Sequence, residues 1–158
     1  MIQHIFSIPI EDIHGKTLDW NAFAGKKLMI VNVASECGYT AQYAQLEALY
    51  QSHQDKLVIV GCPCNDFGGQ EPGDEHQILE FCQLHFGVSF PMTQKVGILE
   101  NTHPLYQWLT KQSQNGVGDY EVKWNFHKFL IHPDGKIFAS LASGIEPFDD
   151  VILDWLKA

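Results

Sequence analysis

Cys37 is followed by Gly38, Tyr39 and Thr40, so the position at which a dithiol oxidoreductase would carry its second cysteine holds a threonine. A local disulfide therefore cannot form. A single activated thiolate can attack an electrophilic sulfur, a carbonyl or a peroxide oxygen, and is then captured by a distant thiol or an outside reductant. Spacing alone also admits a plain buried thiol, because free cysteine is among the most buried residue types. Three other cysteines are present, Cys62, Cys64 and Cys82. Cys62 and Cys64 form a C-x-C pair that, with eight histidines, invites a zinc reading, but no second paired cluster stands at finger-like spacing.

The elements that must position Cys37 follow from the pattern around it. The stretch from Lys27 to Ala34 holds the run Leu28-Met29-Ile30-Val31-Asn32-Val33, nearly continuous and too short for a helix, which reads as a buried, parallel strand. Thr40 is placed to cap a helix whose Tyr43, Leu46, Leu49, Tyr50 and His53 share a face. Cys37 thus falls between a strand and a helix start, where unpaired N–H groups and the helix dipole favour a thiolate.

A second strand runs from Leu57 to Gly61 and stops at Pro63, and the Gly-rich stretch from Cys64 to Gly73 reads as a long loop, a common place for function. Helices are expected from Asp74 through Phe86, over His103 to Lys111 and over Glu146 to Lys157. Phe126 to Ile131 and Lys136 to Leu141 flank a hairpin turn at His132-Pro133-Asp134-Gly135. At the other end, Ile5 to Leu18 suggests an N-terminal β-hairpin turning at Gly15. The order implies a three-layer α/β fold with a central mixed β-sheet, the thioredoxin-like order, in a single domain over residues 1–158.

Composition narrows the function classes. The chain has 158 residues, 45% hydrophobic and 18% charged, enough to bury a real core. Its ten basic residues are all lysine, and against nineteen acidic residues they give a net charge of -9, which argues against nucleic acid as a partner. Residues 1–10 have neither a positive n-region nor an apolar h-region, so no signal peptide, no membrane insertion and a cytoplasmic location are expected. In that compartment the cysteines are thiols, and any disulfide is transient and catalytic or redox-sensing.

The segment Val31-Asn32-Val33-Ala34-Ser35-Glu36-Cys37-Gly38-Tyr39-Thr40 resembles the peroxidatic-site signature of the glutathione peroxidase family. Three further blocks match in the same order: 63–73 (Pro-Cys-Asn-Asp-Phe-Gly-Gly-Gln-Glu-Pro-Gly), 81–91 (Phe-Cys-Gln-Leu-His-Phe-Gly-Val-Ser-Phe-Pro) and 123–130 (Lys-Trp-Asn-Phe-His-Lys-Phe-Leu). The resemblance implies a thioredoxin-like fold and reduction of hydroperoxides by an activated cysteine, with Cys37 as nucleophile and Gln70, Trp124 and Asn125 around it. Amides and an indole N–H are neutral donors whose protonation does not vary with pH, so they suit a thiolate and an orienting peroxide.

The resemblance also places Cys82 where thioredoxin-dependent members carry a resolving cysteine. A disulfide with Cys37 needs Cα atoms within about 7 Å, so the helix that holds Cys82 is expected to loosen. In glutathione-dependent members basic side chains hold the carboxylates of glutathione. A chain without arginine therefore favours thioredoxin or a similar dithiol over glutathione. No cofactor and no metal are implied. Because only the short segment from Gln112 to Val122 stands where tetrameric members carry an insertion, a monomer or weak dimer is expected, its site open to bulky lipid or organic hydroperoxides. A peroxide-sensing relay protein and a glutathione-dependent one-Cys peroxidase are the alternatives. Two departures stand out: Asp66 where the family usually has Gln, and Cys62 where it usually has Phe. Asp66, like Glu36 beside Cys37, raises the question of whether a negative charge reaches the nucleophile; a brace within its own loop is the other reading of Asp66.

Overall fold

The computed structural model describes residues 2–158. Its centre is a sheet of four strands: β1 (Lys27–Val33), β2 (Leu57–Pro63), β3 (Lys128–Ile131) and β4 (Ile137–Leu141), in the order β2-β1-β3-β4. β1 and β2 are parallel, with Lys27 opposite Leu57 and Val33 opposite Pro63. β3 runs antiparallel to both β1 and β4, so the sheet is mixed. Helices α1 (Gln42–Ser52), α2 (Glu75–Phe86), α3 (Pro104–Thr110), α4 (Gln112–Asn115) and α5 (Asp150–Lys157) complete the fold.

Alternation along β1 makes two cores. Leu28 and Ile30 pack with Trp108 and Leu109 of α3, whereas Met29, Val31 and Val33 pack with Tyr43 and Leu46 of α1, Ile78 of α2 and Trp155 of α5. Successive side chains of a strand point to opposite faces, so a strand apolar at both parities must be covered on both sides. The result is the three-layer α/β arrangement that the element order implies.

Three expectations are modified. The N-terminal hairpin is reduced to a single bridge, Glu11 with Thr17, while Ile5–Ser7 and Trp20–Phe23 form 3-10 turns. The turn is tightened by Asp12, whose carboxylate accepts from the amides of His14 and Lys16, and by Gly15 at φ 84°. Pro9 has no N–H with which to extend a ladder. Thr40 does not cap α1, which begins at Gln42 after Ala41 without a side-chain cap. The short helix α4 falls inside the stretch from Gln112 to Val122 that carries no helix signal.

Candidate active site

Because β1 and β2 are parallel, the loops leaving their C-terminal ends lie side by side, the usual place for a site in an α/β sheet. The first of these loops carries Cys37. Thr40 Oγ1 accepts from the Cys37 amide at 2.9 Å and donates to the Ala34 carbonyl at 2.9 Å, so the threonine that replaces a second cysteine braces the loop instead. The Tyr39 amide donates to Cys37 Sγ at 3.3 Å. Cys37 is 8% exposed, so the residue is largely removed from water without being sealed off.

The second loop carries Gln70. Its backbone carbonyl accepts from the Glu36 amide at 3.0 Å, which ties the two loops together one residue before Cys37. Asn125 is fully buried, and its Nδ2 donates to both the Phe67 carbonyl, at 3.2 Å, and Gln70 Oε1, at 3.0 Å. Its N–H groups are therefore occupied, and Asn125 Oδ1 is buried without a partner. Since Gln70 uses its carbonyl oxygen towards Asn125, the Gln70 NH2 is left as the free donor. The Asn125 amide, expected from the resemblance among the donors around Cys37, thus gives its N–H groups to Phe67 and Gln70.

Trp124 is 36% exposed, unusual for the largest apolar side chain, and it meets Phe67 edge-on at 6.2 Å between ring centroids. Gly68, at φ 73°, lies directly against it: a Cβ there would sit 2.8 Å from the ring. The Trp124 carbonyl accepts from Asn32 Nδ2 at 3.0 Å. A pocket of about 410 Å³ is lined by Trp124 together with Tyr39, Lys123, His127, Ser143 and Gly144.

Cys82 lies on α2, fully buried in the same core as Cys37, and both are free thiols. Burial pushes the Cys82 thiol up to about 11, opposed by the neighbouring Tyr43 hydroxyl and reinforced by the charge of Glu71. Glu71 is itself 1% exposed; one carboxylate oxygen accepts from Ser35 Oγ at 2.6 Å and the other is buried unpaired, and burial raises its pKa. A pocket of about 360 Å³ bounded by Ser35, Glu36, Glu71, Gln77, Ile78 and Phe81 lies between the Cys37 loop and α2. Of α2's residues only Ile78 and Cys82 are buried.

Asp66 braces its loop against the chain at Ile98 and Leu99. Burial disfavours its charge, but the carboxylate accepts from the amides of Ile98, at 2.8 Å, and Leu99, at 3.0 Å, and these bonds bring its pKa below the ordinary value. Cys62 and Cys64 are buried in the core on the α3 side, and burial pushes each up to about 12. Among the described residues no cluster of three or more His, Cys, Asp or Glu side chains is placed to hold a metal.

The family model described as glutathione peroxidase matches residues 5–110, a span that includes Cys37, Gln70 and Cys82. The chain belongs to the glutathione peroxidase family. Glutathione peroxidase-like peroxiredoxin 2 of Saccharomyces cerevisiae is 42% identical over 149 residues, covering 93% of this chain and 92% of that protein. Glutathione peroxidase homolog BsaA of Bacillus subtilis is 42% identical over 153 residues, 94% of this chain and 96% of that one. Among solved structures, Trgpx in apo form superimposes with a TM-score of 0.75 at 35% identity, over 100% of this chain and 98% of that one. A secreted Mycobacterium tuberculosis disulfide oxidoreductase superimposes with a TM-score of 0.57 at 12% identity, over 85% and 82% of the two chains, which shows the thioredoxin-like fold alone. This family member is accordingly a peroxidase, an oxidoreductase that reduces peroxide. No helix among the described residues is long and apolar enough to cross a membrane.

Four residues that frame this peroxidase site escaped sequence reasoning: Asn32, Tyr43, Glu71 and Lys128. Two of them left a signal, since Asn32 interrupts the apolar run from Leu28 to Val33 and Lys128 directly precedes the apolar Phe129, Leu130 and Ile131.

Proposed function

We propose that this glutathione peroxidase is a two-Cys thiol peroxidase in which Cys37 is the nucleophile and Cys82 the resolving thiol, with thioredoxin or a similar protein dithiol as reductant. The Cys37 thiolate attacks one oxygen of the hydroperoxide, the O–O bond breaks, and Cys37 becomes a sulfenic acid while the other oxygen leaves as alkoxide or hydroxide. The Gln70 amide and the Trp124 indole N–H are the donors for that developing charge, and Asn125 orients Gln70. The leaving oxygen takes a proton to give alcohol or water. The Cys82 thiolate then attacks Cys37 Sγ, water departs with one further proton, and the resulting disulfide is reduced by the external dithiol.

The observation that carries this reading is the linked pair of loops: Glu36 bonded to Gln70, and Gln70 to Asn125, next to the free Cys37 thiol. The resolving role draws support from the burial of Cys82 in the same core as Cys37, on a helix whose other inward contacts come from Ile78 and the partly buried Leu79, Phe81 and Phe86, so a local opening of α2 is what would bring the two thiols together. Peroxiredoxin in the name of the yeast relative favours a protein dithiol, as does the absence of arginine. We further propose a single domain over residues 1–158, a monomer or weak dimer, a cytoplasmic setting and organic or lipid hydroperoxides among the substrates.

Peroxide-dependent NADPH consumption coupled through thioredoxin and its reductase, run beside glutathione and its reductase, tests the scheme. Steady thioredoxin-linked turnover that disappears in both Cys37→Ser and Cys82→Ser is expected. Full activity of Cys82→Ser, or turnover sustained by glutathione alone, would replace it with a one-Cys mechanism. Stoichiometric reaction without turnover would indicate a relay protein.

A further inference from the structure

Two polar side chains, Asn32 of β1 and Lys128 of β3, lie fully buried and act on the same stretch, residues 124–127. Asn32 donates to the Trp124 carbonyl at 3.0 Å and accepts from the His127 amide at 3.1 Å, and its own backbone carbonyl accepts from the Phe126 amide at 2.6 Å. Lys128 Nζ donates to the Phe126 carbonyl at 2.8 Å and to the Ser143 carbonyl at 3.4 Å. Phe126 sits at φ 64°, in the left-handed region that a bulky residue rarely occupies. A backbone held there persists only when its surroundings over-determine it.

The Ser143 carbonyl accepts a second bond, from Gln42 Nε2 at 2.8 Å, and Gln42 opens the helix that follows the Cys37 loop. Lys128 therefore links the turn carrying Trp124 and Asn125 to the start of α1. Removing an ammonium from water is costly: burial brings the Lys128 pKa down to about 7, against the field of Glu146, which favours the charge. An apolar side chain of similar length would avoid that cost in a buried strand, so the ammonium has a role that volume does not supply.

We propose that Lys128 is a positioning residue for peroxide reduction, fixing the Phe126 carbonyl and thereby the left-handed turn that presents Trp124 and Asn125 to the Cys37 site. The inference rests on the donor and orienting roles proposed above for those two residues.

The test compares wild type with Lys128→Met, which keeps length and removes the donor, by two reactions of Cys37: oxidation by hydrogen peroxide and alkylation by iodoacetamide. Alkylation reports thiolate reactivity without calling on donors for a leaving oxygen. Acrylamide quenching of tryptophan fluorescence follows the turn, because Trp124 is 36% exposed whereas Trp20, Trp108 and Trp155 are buried. The expected result is peroxide oxidation slowed at least tenfold, alkylation within twofold of wild type and altered quenching. Lys128→Gln, which restores a donor, should recover part of the peroxide rate, and it serves with the same paired measurements if Lys128→Met does not fold. Peroxide oxidation within twofold of wild type in a folded variant would overturn the proposal, as would equal slowing of both reactions. Asn125→Ala and Trp124→Phe are run alongside: if neither slows peroxide oxidation, it is the assigned roles of those residues that fail, whereas slowing in these but not in Lys128→Met refutes the role of Lys128 alone.

Discussion

Asn125 Nδ2 donates to Gln70 Oε1 at 3.0 Å, and this one bond decides which end of the Gln70 amide is free to act. The free end is the NH2, the end that can stabilise an oxyanion. Asn125→Ala releases the amide to turn, and Asn125→Asp offers it an acceptor that draws the NH2 towards residue 125. Both variants are expected to slow oxidation of Cys37 by about ten- to a hundredfold, somewhat below the loss of a direct oxyanion donor. Stopped-flow measurement of the peroxide step checks this; a wild-type rate in Asn125→Asp would show that the orientation of Gln70 is immaterial.

Gly68→Ala combines two penalties at one position, a φ of 73° and a Cβ placed 2.8 Å from the Trp124 ring. Stability should fall by about 1–2 kcal/mol, from the backbone alone in the main. The displaced indole should also slow the peroxide step. Urea unfolding and single-turnover oxidation measure the two effects separately, and loss of stability with an unaltered rate would remove Trp124 from the chemistry.

His127 is buried with its Nε2 2.7 Å from Ser140 Oγ, and burial, with Lys128 adding a smaller effect, lowers its pKa to about 4. In the unfolded chain the imidazole titrates near its ordinary value of 6.5. Between these two values the unfolded state binds more protons, so this group's contribution to stability is full above pH 6.5 and is lost as pH falls towards 4. The loss is at most about 3 kcal/mol. Denaturant unfolding at pH 7 and pH 5 should show a smaller drop for His127→Gln than for wild type; equal drops would mean that His127 is not held neutral by the fold.

Tyr43 stands near Cys82 with its buried hydroxyl unpaired, where it can turn towards the sulfur, and its presence opposes the rise that burial gives the thiol pKa. Tyr43→Phe should leave the peroxide step unchanged and slow formation of the Cys37–Cys82 disulfide several-fold, with stability within about 1 kcal/mol of wild type. Trapping of the sulfenic acid over time distinguishes the two steps. A slowed peroxide step with unchanged disulfide formation is the outcome that contradicts it.

Asp74 and Gln77 form a capping box at the start of α2. Asp74→Ala should weaken the helix by about 1 kcal/mol. If opening of α2 gates the resolving thiol, the disulfide should then form faster although the protein is less stable. Mass spectrometry of quenched samples after a peroxide pulse reads the rate directly, and slower formation would argue that the intact helix presents Cys82.

The Cys37 loop and the order of elements were legible because they rest on local chemistry: a β-branched run before Cys37, turn formers after Pro63, and four ordered motifs. The function of Thr40 was misread for the same reason. A threonine ahead of a helical pattern looks like an N-cap, yet its hydroxyl is engaged by Cys37 and Ala34 inside the loop, a competition between local and tertiary bonds that sequence cannot weigh. The N-terminal hairpin shrank to one bridge because Pro9 and the Asp12 turn leave little backbone to pair.

By itself, the sequence determined the fold class, the family and the candidates for the chemistry, since residue type, period and motif spacing are properties of the chain. Only the tertiary structure decided what each residue does with its bonds. The N–H donors of Asn125 are taken by Phe67 and Gln70, residues far away in sequence. Asp66 became a brace because it meets Ile98 and Leu99, and Lys128 is buried because the strand that carries it is covered on both faces. Hydrogen-bond partners and burial depend on which distant segments meet, and that is settled by packing the two cores against one sheet.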